Sequence, residues 1–100
     1  LKSNGYKILK RNFRCTSGEI DIVAKKGDLV VFVEVKARRS ADFGDPLEFV
    51  DLKKQTHIIR CARFFLTTMQ LEDVDVRFDV IGITGKNDIE WIENAFMEVQ

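Results

Sequence analysis

Little in this sequence points to thiol, zinc or membrane chemistry. Its 100 residues include 2 cysteines, 1 proline and 1 histidine. Cys15 and Cys61 show no C-x-x-C and no other metal-ligand spacing. They read as ordinary reduced thiols in or near the core, which suits a cytoplasmic protein. The lone His57 falls on the polar side of a helical pattern, and a catalytic role would need a partner that the sequence does not supply. No apolar run approaches the roughly 20 residues of a membrane span, and the opening segment is basic rather than signal-like. Repeats, linkers and low-complexity stretches are missing too. Net charge is zero, with 16 Lys and Arg against 16 Asp and Glu.

That zero conceals an asymmetry. Residues 1–39 hold 10 Lys/Arg against 4 Asp/Glu, and residues 40–100 hold 6 against 12. Contact with phosphates needs a local basic surface, not a basic total. The bland alternative is that the two halves neutralise each other within the fold. At 45% apolar, the chain has enough hydrophobic material for one compact domain over residues 1–100, with a modest core.

The pattern reads as strand, strand, strand, helix, strand, strand. Tyr6–Arg14 alternates in part and has a basic outer face. Asp45-Pro46-Leu47-Glu48 suits a helix start, with an acidic cap, proline at the first helical position and glutamate two residues later; Asp51 offers a second start. In the helix that follows, Ile58, Ile59, Ala62, Phe65, Leu66 and Met69 share one face, while Lys53, Lys54, Arg60 and His57 fall on the other. Val74–Ile83 alternates as a fourth strand. Ile89–Ile92 reads as a fifth, at an edge, with Asn94–Gln100 packing loosely after it. Asp79 shares a strand face with Arg77, and an ion pair between them is the expected reading.

The second and third strands carry the most information. Gly18-Glu19-Ile20-Asp21-Ile22-Val23-Ala24 and Val31-Phe32-Val33-Glu34-Val35-Lys36 are apolar runs interrupted by charge. With Lys26-Gly27 as a two-residue loop, Asp21 lies opposite Phe32 and Glu19 opposite Glu34. Side chains alternate along a strand, so Glu19, Asp21, Glu34 and Lys36 share one face. Carboxylates gathered there would repel. A divalent cation removes that repulsion, and hard oxygen donors suit Mg²⁺ or Mn²⁺.

Asp followed by Glu-x-Lys on the next strand resembles the PD-(D/E)XK nuclease superfamily. Arg11-Asn12-Phe13-Arg14-Cys15, Gly18–Asp21, Val31–Arg38, Lys54-Gln55, Val76–Val80 and Asn94-Ala95-Phe96, in that order, resemble the YraN-like bacterial family. That family is described as predicted endonucleases distantly related to archaeal Holliday junction resolvases. The resemblance implies an α/β domain with a restriction-endonuclease-like mixed sheet flanked by helices. Such proteins usually begin with a helix bearing a glutamate, before the segment matching Gly5-Tyr6. No such helix is present here, which implies an incomplete N-terminus and an apolar patch left for that helix or a partner chain.

The resemblance also implies roles. Asp21 and Glu34 would hold the metal, with the backbone carbonyl of Val35 and waters, and Glu19 directly or through water. Lys36 would orient or deprotonate the attacking water, or stabilise transition-state charge, the last being the role favoured for a lysine beside two carboxylates. Gln55, near the helix start on its buried side, would reach into the site or cap backbone groups. Lys7, Lys10, Arg11, Arg14, Arg38 and Arg39 would meet DNA. The reading is therefore a metal-dependent DNA endonuclease, with branched or structured DNA and a homodimer both open. A nucleic-acid-binding module with little or no catalysis, and a protein–protein adaptor using the acidic half, are the alternatives.

Overall fold

A computed structural model describes residues 4–38, 51–85 and 88–96. The elements are β1 (Lys7–Cys15), β2 (Gly18–Lys26), β3 (Leu29–Arg38), α1 (Leu52–Thr68), β4 (Asp75–Thr84) and β5 (Asp88–Phe96). They form one five-stranded sheet in the order β1-β2-β3-β4-β5. Only β3 and β4 run parallel; the other neighbours are antiparallel. A parallel pair needs a long crossover, and α1 is part of that connection. The result is an α/β fold consistent with a restriction-endonuclease-like domain.

The helix begins at Leu52, the second of the two starts legible in the sequence. Asp51 is its N-cap, and its carboxylate accepts the amide of Lys54 at 2.8 Å. The start at Asp45-Pro46 lies outside the described residues. Ile58, Cys61, Ala62 and Phe65 of α1 are buried. They cover Ile20, Val23, Val30, Phe32, Phe78, Val80 and Phe96 of the sheet. Phe65 meets Phe32 edge-on at 5.9 Å, Phe32 stacks on Phe78 at 5.6 Å, and Phe78 on Phe96 at 5.1 Å. This aromatic row ties α1 to three adjacent strands, so truncating a central ring would cost roughly 3–5 kcal/mol. Met69, expected on the buried side, is instead the exposed C-cap.

Central strand β3 is apolar on both sides, as a strand with neighbours on each edge and packing on each face requires. Val30 and Phe32 join the α1 side, while Val31 and Val33 join Tyr6 and Ala24 on the other. On that second side Asp79 is fully buried yet completely partnered. It accepts two bonds from Arg77, one from the Trp91 indole at 2.7 Å and one from the Asn94 amide at 2.9 Å. Arg77 also donates to the Tyr6 hydroxyl and pairs with Glu93. The bond with Asp79 is the main reason its guanidinium is held more firmly charged than usual. The expected Arg77–Asp79 pair is present, and it fastens β5 to β4. This explains why β5 runs on to Phe96, where loose packing from Asn94 onward was expected.

The β2–β3 turn corrects the register. Lys26 pairs with Leu29, so Gly27-Asp28 is the loop rather than Lys26-Gly27. Gly27 has φ 59° in the first loop position, where a II′ hairpin demands glycine. The expected loop would have placed Lys26 there. The ladder continues to Ile22 opposite Val33. Asp21 is therefore next to Glu34 in register, not to Phe32.

Candidate functional site

The site lies where β2 leaves β3. Ile20 and Val23 both reach the core beneath α1, while Ile22 between them packs on the other side of the sheet. Strict alternation would not allow Ile20 and Val23 to share a face. The alternation is interrupted around Asp21 without a change of register against β1, and Asn12, between Arg11 and Phe13 on β1, takes φ 52°. The ladder gives way, and the Asp21 carboxylate replaces it by accepting the Val35 amide at 2.7 Å. Asp21 is thus oriented by the backbone of the strand that carries Glu34 and Lys36.

Glu34 is only 7% exposed. Burial, followed by contact with the Asp21 carboxyl, pushes its pKa up to about 7. Two ammonium groups oppose this rise. Lys36 Nζ stands 3.8 Å and Lys54 Nζ 3.5 Å from the same Oε1 of Glu34. These are ion pairs, too long to be hydrogen bonds. Burial and contact with Lys54 lower the pKa of Lys36 against the pull of Glu34. Burial opposes charge on Lys54 as well, but its contacts with Lys36 and Glu34 raise its pKa overall. Asp21, Glu34, Lys36 and Lys54 therefore form one cluster drawn from β2, β3 and the first turn of α1.

Other expected residues fall in different places. Glu19 turns away to Arg14, at 3.4 Å on the exposed side of the hairpin. Among the described residues, no group of three or more acidic, histidine or cysteine side chains converges on a metal position. Gln55 is half-buried beside Lys54, and its main-chain N–H donates to the Asp51 main-chain carbonyl. Arg11 is brought close: with Asn12, Asp21, Ile22 and Val35 it lines an open groove of about 390 Å³. Lys7, Lys10 and Arg14 are exposed along the β1 edge. Arg38 ends β3, and Arg39 lies outside the described residues. His57 is half-buried, with its Cβ against Gly18.

Lys54 is the residue that helical periodicity misplaced. Its phase puts it on the polar face, but in the first turn that face overhangs the end of β3. The adjacent motif residue Gln55 was the available signal.

The chain matches the profile of the Uncharacterised protein family UPF0102 over residues 1–83. It belongs to the UPF0102 family. It is 50% identical to a UPF0102 protein of Desulforapulum autotrophicum over 99 residues, covering 96% of this chain and 82% of the relative. It is 48% identical to one from Caldicellulosiruptor saccharolyticus over 101 residues, covering 96% and 86%. The figure for one from Clostridium acetobutylicum is 45% over 101 residues, covering 96% and 83%. The YraN-like resemblance read from the strand motifs is borne out by this membership.

The donor set of this UPF0102 protein fits a hard divalent cation. Two carboxyl groups in contact, one pushed toward neutrality by burial and then by the other, supply oxygen ligands and a reason to bind positive charge. Mg²⁺ commonly uses one or two carboxylates and fills its remaining positions with water and phosphate oxygens. No helix of the described residues is long and apolar enough to cross a membrane.

Proposed function

We propose that this UPF0102 protein hydrolyses phosphodiester bonds of DNA with Mg²⁺ or Mn²⁺. The observation that carries the reading is the contact of Asp21 with Glu34 at the break in the β2–β3 ladder, with Lys36 on the same Glu34 carboxyl group. Asp21 and Glu34 would hold the cation, with the Val35 carbonyl as a further donor. When bound, the cation would act as Lewis acid on a phosphoryl oxygen and acidify water.

The chain's own groups do the rest. The Val35 amide fixes the Asp21 carboxylate, so the ligand is oriented before anything binds. Lys36 stands where it can face the attacking water or the charge developing on phosphorus. Its ammonium, 3.8 Å from Glu34, suits the electrostatic role on that developing charge. Lys54 would add a second positive charge beside Glu34. Arg11, which lines the groove beside Asp21, would meet a backbone phosphate.

The basic surface also supports a nucleic-acid substrate. β1 carries Lys7, Lys10, Arg11 and Arg14 with no acidic residue, and α1 carries Lys53, Lys54, Arg60 and Arg63 with none. β5 carries Asp88, Glu90 and Glu93 with no basic residue. Charge therefore divides across the fold, between the β1–α1 side and the β5 edge. The test is Mn²⁺-dependent cleavage of a panel of DNA structures, set against the same reaction in EDTA. Cleavage in EDTA, or none with either metal, would refute the proposal.

A further inference from the structure

Phe64 is 54% exposed on α1, whereas its neighbour Phe65 is 2% exposed. Successive helix positions point about 100° apart, so both rings cannot face the core. What singles out Phe64 is its support. Phe13 of β1 lies nearly parallel to it at 6.1 Å and 30°, and Phe65 holds Phe13 edge-on at 5.0 Å. The exposed ring is therefore propped from beneath by buried aromatic packing. Its setting is cationic: Arg60, one turn earlier, and Arg63 are both exposed.

The helix also links this ring to the cluster at Glu34. Lys53, His57, Arg60 and Phe64 are spaced four, three and four residues apart and form one stripe. At 1.5 Å per residue the stripe spans about 16 Å, with Lys54 beside its start. An aromatic face at the end of a basic track has the chemistry of a single-strand binder, in which cations follow the phosphates and rings stack on bases. A base-paired duplex offers no free base face to such a ring.

We propose that Phe64, propped by Phe13, is a stacking platform for an unpaired base of a nucleic-acid strand that runs along α1 to the Asp21–Glu34 site. This rests on the proposed nuclease reading and narrows its substrate to strands with unpaired bases close to the point of cleavage.

The test is fluorescence anisotropy in EDTA, so that binding is read apart from hydrolysis. Probes are an oligo-dT strand, an oligo-rU strand, a blunt duplex, and the same duplex with a single-stranded arm. Wild type is compared with Phe64→Ala and Phe64→Trp, each checked by thermal melt and by solution mass. The Ala variant is expected to bind the strands and the armed duplex about 5- to 100-fold more weakly, the usual worth of one stacked base, with little change on blunt duplex. The Trp variant should keep or improve strand affinity, and its added indole emission should be quenched on binding. The dT and rU arms distinguish DNA from RNA, and stacking on either supports the platform. Equal weakening on every probe, no weakening on any, or no binding at all would overturn it. A drop in solution mass for the Ala variant with unchanged strand affinity would also overturn it, making Phe64 a contact between copies. Mn²⁺-dependent cleavage of the same probes separates the two proposals. Cleavage that is indifferent to Phe64 sinks only the platform, whereas Phe64-dependent binding without cleavage sinks only the nuclease reading.

Discussion

Asp21 accepts the Val35 amide at 2.7 Å, a bond that a main-chain carbonyl of β2 would make if the two strands stayed paired. The break in pairing thus aims a carboxylate at Glu34 and keeps it in place. Asp21→Asn and Glu34→Gln should each abolish tight Mn²⁺ binding, measured by calorimetry on folded protein. Affinity within a few-fold of wild type in both variants would remove these residues from the metal site.

Glu34 binds its proton more tightly in the folded, metal-free protein than in the unfolded chain, whose value is near 4.5. Stability from this group is fully present below about 4.5 and is lost as pH rises through about 7. In EDTA, the melting temperature of wild type should fall across this window relative to Glu34→Gln, and Mg²⁺ should recover part of the loss near neutral pH. Parallel pH profiles for the two proteins would show that Glu34 is not perturbed.

Asp79 has no exposed surface and accepts four hydrogen bonds. Asp79→Ala strands the Arg77 charge and the Trp91 indole and should cost roughly 3–5 kcal/mol in urea denaturation. A loss below about 1 kcal/mol, the median worth of a surface pair, would mean that the network does not hold β5.

Charge reversal at Lys10 and Arg11 should weaken binding to DNA of any sequence. For every phosphate no longer neutralised, the plot of log affinity against log salt should become shallower by about 0.9. An unchanged slope would leave the basic β1 edge without a role in binding.

Much of this architecture is legible in the sequence because its signals are local. Alternation marked the strands, apolar spacing marked the buried face of α1, and Asp51 announced a cap. Three features escaped, one a local turn choice and two that depend on distant partners. The hairpin register turned on whether Lys26 or Gly27 would take the positive φ. Lys54 reaches Glu34 only because α1 begins where it overhangs β3. Trp91 and Asn94 bind Asp79 across two strands, so nothing in Ile89–Ile92 alone foretold that β5 would continue to Phe96. The charge divide was visible along the chain, but its boundary is spatial: basic α1 lies in the acidic half of the sequence and on the basic side of the fold.

The central claim is that Asp21, Glu34 and Lys36 form a cation-dependent strand-cleaving site. The most direct measurement is cleavage of armed and branched DNA in Mn²⁺ by wild type and Lys36→Ala, with Mn²⁺ affinity and melting temperature measured on the same samples. The account predicts that the variant folds, binds Mn²⁺ and DNA, and cleaves about 10²-fold or more slowly, the usual effect of removing a group that stabilises transition-state charge. Cleavage by Lys36→Ala at the wild-type rate would contradict it.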